Sequence, residues 1–143
     1  MKEKLLTVFE AEAREDWSSA YAQYRSLWTQ NATPEVAAHW GFLCWYLLHL
    51  WEDGKLAAMP KGISKVGLFA KVDAMAEALL TFPDPVPEVY LALLVYMKQT
   101  RPYFIQEPVF SQGEARDLQA KLGAVPLSGQ FPQGSLLHGY FSH

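Results

Sequence analysis

His39, Cys44 and His49 are the side chains best suited by type to hold a metal ion, and all three fall in one apolar stretch. At about 100° per residue on a helix, Cys44 lies roughly 140° round from His39, and His49 roughly another 140° from Cys44. One helix therefore cannot bring the three to a single ion. No HExxH, CxxC pair or calcium-loop pattern occurs elsewhere, so neither metal nor cofactor is expected. The two histidines read as core or interface side chains. Cys44, the single cysteine, cannot form an intramolecular disulfide and reads as a small buried hydrophobe.

Carboxylates are the next source of chemistry. Glu10, Glu12, Glu15, Asp16, Glu52 and Asp53 are expected to form an acidic patch if the first hairpin brings its corner near the end of the third helix. Acid–base catalysis would need one of them raised in pKa inside a cleft, which spacing alone cannot show. Four lysines, at 55, 61, 65 and 71, form a local basic segment free of acids, read as a solvated linker. Pro60 to Ser64 ahead of a helix is a weak anion-site signal. The net charge of −3 gives no general basic field of the kind nucleic-acid binders use. No motif identifies a reaction, and the expectation is a protein that is not an enzyme.

These residues depend on elements that the sequence marks clearly. Val36 to Trp51 contains no Asp, Glu, Lys or Arg, yet Thr33, Pro34 and Glu35 form a helix start and Glu52-Asp53-Gly54 a stop. A helix apolar on nearly every side must be surrounded by protein or lipid. A bilayer needs roughly 20 apolar residues, so burial in protein is the expectation. The N-terminus lacks the apolar region of a secretory signal, which points to a cytoplasmic protein.

Spacing predicts an all-α fold of about six helices, arranged as antiparallel hairpins in a compact bundle or short solenoid. Leu5, Leu6, Phe9 and Ala13 share one face of a helix over 2–14. Trp17, Ala20, Tyr21, Tyr24, Leu27 and Trp28 form the stripe of a second over 16–30. The connection to the third helix is short, which favours antiparallel neighbours. Leu68, Val72, Met75 and Leu79 mark a fourth, ended by Pro83, Pro85 and Pro87. Glu88 opens a fifth that Pro102 closes, and Ser111 to Glu114 has the capping-box pattern of a sixth ending at Gly123. Residues 1–122 read as the helical domain and 123–143 as an irregular, uncharged tail. Its Phe131, Leu136, Leu137, Tyr140 and Phe141 have either the domain's own core or a partner to cover.

Trp40-x2-Leu43-Cys44-x2-Leu47 resembles the first-helix pattern of tetratricopeptide repeats, with Cys44 and Leu47 where the family has glycine and tyrosine. Ala20-x3-Tyr24-x2-Leu27 followed by Pro34 resembles the second-helix signature, with Leu27 in place of a small residue and two extra residues before the proline. The resemblance covers about a third of the chain and implies a protein-binding scaffold.

Five tryptophans in the first 51 residues exceed what one small core readily buries, so some are expected near the surface as binding anchors. The expectation is therefore a non-catalytic protein-binding module. Its most concrete form is an immunity or antitoxin protein occluding a basic bacterial toxin, with Glu12, Glu15, Asp16, Glu52 and Asp53 steering association and Trp45 anchoring it. The alternatives are a tetratricopeptide-like peptide adaptor, and a small ligand carrier or enzyme with a pocket of Trp40, Trp45, His49 and Tyr90. A homodimer is also compatible with two nearly uncharged helices.

Overall fold

A computed structural model describes residues 2–101, 105 and 112–142. Helices α1 (Lys2–Ala13), α2 (Trp17–Gln30), α3 (Pro34–Glu52), α4 (Lys65–Thr81), α5 (Glu88–Thr100), α6 (Gln112–Leu122) and α7 (Leu136–Phe141) follow in order, without a strand among the described residues. The fold is all-helical. Pro102 and the Ser111 cap lie outside the described residues, as does the Glu114 side chain, so the expected ends of α5 and α6 are left there.

Local chemistry sets the helix starts. Thr33 accepts the Val36 N–H at 3.3 Å ahead of Pro34 and Glu35, and Ser64 accepts the Gly67 N–H at 3.0 Å. Asp16 accepts from Ser19 at 3.3 Å to begin α2. Between α1 and α2 the chain turns through Glu15, whose φ of 58° is left-handed, and the Asp16 N–H reaches back to the Ala11 carbonyl at 2.9 Å. A non-glycine residue in this region is strained, so the corner is held by the elements on either side.

The apolar α3 lies at the centre, packed against α2, α4, α5 and α7. Trp40, Phe42, Leu43, Cys44, Trp45, Leu47 and Leu48 are all buried along it. Its face toward α4 is built from small residues: Ala37, Ala38 and Gly41 meet Val72, Met75 and Ala76 with no water-sized space between them. A Cβ added at Gly41 would stand 2.9 Å from the Cβ of Met75. Glycine there sets how closely the two helices approach. Among the described residues no helix is long and apolar enough to cross a membrane.

One element differs from the sequence expectation. Within 123–143, Ser135 accepts the His138 N–H at 3.1 Å and starts α7. Leu137 is fully buried, and Phe131, Tyr140 and Phe141 pack on the core shared with α3. Six residues with a glycine among them are too few for a periodic pattern, so α7 exists because its aromatic groups bury, not because the segment favours helix.

Gly41→Ala is expected to destabilise the protein by about 1–3 kcal/mol through overpacking at the α3–α4 seam. Gly139→Ala, within α7 and with nothing within 4 Å of an added Cβ, is expected to be neutral or stabilising by up to about 1 kcal/mol. Urea denaturation of the two variants side by side checks both; equal stabilities would contradict the close-approach role of Gly41.

Candidate functional site

A cleft of about 570 Å³ opens where the end of α1, the C-terminal half of α3 and α7 meet. Glu12, Tyr46, His49, Lys55, His138 and Tyr140 are among the residues that line it. Its volume is within the range usual for sites that hold a small molecule or an inserted side chain.

Glu12 is the unusual group. Only 3 % of it is exposed. One carboxyl oxygen is 2.9 Å from the Tyr24 hydroxyl on α2, and the other accepts the Leu136 N–H at 3.1 Å. Leu136 opens α7, where a backbone N–H has no partner within its own helix, so Glu12 ties the first, second and last helices together. Burial pushes its pKa from the usual 4.5 up to about 7, against the two hydrogen bonds, which pull it down. At neutral pH the carboxyl is divided between its acid and its anion.

His49, across the cleft, is held at both nitrogens. Arg101 donates through Nε to Nδ1 at 3.0 Å, and Nε2 lies 3.2 Å from Asp53, which Arg101 also meets at 3.0 Å. The ring stacks on Trp45 with centroids 5.6 Å apart. Accepting at Nδ1 requires the neutral tautomer with its proton on Nε2. Its pKa is lowered first by burial and next by Arg101, partly offset by Asp53. This trio fastens the end of α5 to the end of α3.

The acids expected at a surface patch divide. Glu15, Asp16, Glu52 and Asp53 are exposed and are not among the residues that line the cleft; in the chain, Glu15 and Asp16 follow its lining residue Ala13, and Glu52 and Asp53 fall between Leu50 and Lys55. Asp16 also caps α2, and Asp53 is paired with Arg101. Glu12, expected outside, is inside, because α7 covers the face of α1 that sequence spacing left open. Trp45, expected as an anchor for a partner, is fully buried between Phe42 and Tyr96 and meets no surface. Of the tryptophans, Trp51 is the exposed one, at 37 %.

The proposed aromatic pocket of Trp40, Trp45, His49 and Tyr90 does not form. Trp40 faces Tyr21 and Lys71, Tyr90 packs near His39, and of the four only His49 reaches the cleft. His39 and Cys44 are both buried, and among the described residues no group of three or more His, Cys, Asp or Glu side chains converges as a metal set. The anion signal at Pro60 to Ser64 is weakened because Ser64 itself takes the Gly67 N–H. Tyr46, His138 and Tyr140 were missed. Ser135 ahead of Leu136 and Leu137, a cap before an apolar pair, is the signal that could have found His138 and Tyr140 on α7; none marks Tyr46.

Comparison with protein-family models gives no match, and neither does comparison with curated proteins or with solved structures.

Two buried groups give opposite pH dependences. Between 4.5 and about 7 the folded chain holds a proton on Glu12 that the unfolded chain has lost. Stability therefore falls as pH rises through that range, by about 1.4 kcal/mol per unit. Burial lowers His39 from 6.5 to about 3, so between those values the unfolded chain binds the extra proton and stability rises with pH at a similar slope. The slopes oppose one another from 4.5 to 6.5. Glu12→Gln keeps both hydrogen bonds, its carbonyl accepting from Leu136 and its amide donating to the Tyr24 oxygen. In that variant, stability from urea denaturation is expected to rise across this window by about 2–3 kcal/mol more than in wild type, and to exceed wild type at pH 8 by about 3 kcal/mol. Parallel profiles for the two proteins would show that Glu12 is not held as the acid.

Proposed function

We propose that the protein is a non-catalytic binding module whose contact surface is the Glu12 cleft together with the acids at its mouth. The observation that carries this reading is the placement of Glu15, Asp16 and Glu52 on segments that directly adjoin the lining of the cleft. A basic partner is drawn toward such a rim before contact, and an inserted side chain would then exclude water from the cleft. Both oxygens of Glu12 and both nitrogens of His49 have partners, whereas His138, which also lines the cleft, has a buried Nδ1 with no hydrogen-bond partner.

The concrete form we favour is an immunity or antitoxin type of protein, acting in the cytoplasm and occluding the active site of a basic toxin. A second reading, a carrier of a small organic molecule, is favoured by the volume of the cleft.

Capture from the source cells with tagged wild type and two variants tests this. Glu15→Lys combined with Glu52→Lys is expected to slow association at low salt by about tenfold and to flatten its salt dependence. Gly139→Phe places a ring at a position lining the cleft where an added Cβ meets nothing within 4 Å, and is expected to speed dissociation. A folded basic partner bound equally by all three proteins would overturn the cleft surface. A bound unstructured peptide would favour the tetratricopeptide-like adaptor, and a retained small molecule the carrier.

A further inference from the structure

Helix α7 forms a wall of the cleft and is attached to the rest of the fold in two different ways. The aromatic attachment is insensitive to pH near neutrality: Tyr140 and Phe141 pack against Phe42 and Tyr96, and the hydroxyls of Tyr96 and Tyr140 lie 2.8 Å apart. The polar attachment is the Glu12 carboxyl on the Leu136 N–H, linking positions far apart in the chain. Gly134, two residues before α7, has a φ of 90°. The turn that contains it is closed by Ser135, whose N–H and hydroxyl both donate to the Pro132 carbonyl, at 3.1 and 2.6 Å.

We infer that α7 is a proton-gated wall of the binding cleft: protonated Glu12 holds it closed, and ionised Glu12 favours its release. This regulates the site proposed above and rests on that reading for its purpose, though not for its test. The physical basis is hydration. Behind a closed α7 the Glu12 anion has the Tyr24 hydroxyl and one backbone N–H as donors, and only 3 % of the residue meets the water of the cleft. Swinging α7 away returns water to the anion and sacrifices little for the neutral acid.

The tyrosines and His49 around the cleft shift for reasons of their own. Tyr24 on α2 is held well above the ordinary phenol range by burial and then by Glu12 itself, and Tyr140 on α7 is raised by burial and the Tyr96 hydrogen bond. Tyr46 on α3 is raised by burial and then by Glu15. His49 on α3 is lowered and clamped by Arg101 and Asp53. Lys55 after α3 and His138 on α7 also line the cleft, and Arg14 and Glu15 follow its lining residue Ala13 in the chain. All of them are retained in Glu12→Gln.

With a closed-state value of about 7 and the ordinary carboxyl value of 4.5 for a hydrated Glu12, the ratio of open to closed forms rises by roughly 200-fold from pH 4 to pH 8. Amide hydrogen exchange of the intact protein, corrected for intrinsic rates, reads this ratio directly. Protection at Gly139 and Tyr140, whose amides lie within α7, is expected to fall by about two orders of magnitude over that range, while the amides of α3 fall less. In Glu12→Gln the α7 protection is expected not to change with pH. Tyr24→Phe removes a hydrogen bond that lowers the Glu12 pKa, so the transition is expected to move to higher pH. An equal pH response in Glu12→Gln would overturn the gate, as would loss of protection in α3 in step with α7, since either means another group or global unfolding. The measurement needs no partner, so an intact gate with no binding to the cleft removes the proposed function and leaves the gate standing.

Discussion

A helix with no charged residue from Val36 to Trp51 must be covered on every side, and this requirement organises the molecule. The Phe42–Trp45–Tyr46 face of α3 is covered in part by Trp17 of α2 and Tyr96 of α5, and α7 supplies the rest of the cover through Tyr140 and Phe141. The C-terminal segment is thus part of the core by necessity of burial. Its uncharged composition, which resembles neither a linker nor a charged disordered tail, follows from the same need.

Covering α3 with aromatic groups has a polar cost. Large rings fill volume with few atoms able to hydrogen-bond, and where a polar group is enclosed its protonation state adjusts. His39, surrounded by Phe9, Tyr90 and Phe131, is neutral because a charge there has nothing to solvate it. Glu12 is enclosed by the same layer but meets two donors, so it sits near the balance point instead of far from it. The contrast between the two shows how a pair of well-placed hydrogen bonds turns an inert buried group into one that responds near neutral pH.

Most of the architecture was legible in the residues. Thr33-Pro34-Glu35, the α2 stripe and the three prolines after α4 mark their elements by local chemistry that tertiary packing does not override. What was not legible depends on long-range encounters. The stripe of α1 gives no sign that Glu12, outside its apolar face, would be roofed by residues more than a hundred positions away. The number of tryptophans suggests crowding and hence an anchor at Trp45, yet four of the five are at least partly buried against other rings: Trp17 on Tyr46, Trp28 on Phe82, Trp40 on Tyr21, and Trp45 on Tyr96 and Tyr140. The exposed acids were legible as residues; their arrangement around a cleft required the fold.

Cys44 is fully buried in the middle of α3, and burial pushes its thiol far above the ordinary range. A thiol reagent in solution reaches its sulfur only in molecules whose core has come apart, since no movement of a single peripheral helix exposes a side chain enclosed between α2 and α4. The chain thus carries its own chemical clock for complete unfolding, one thiol per molecule, silent to partial motions and requiring no engineered label.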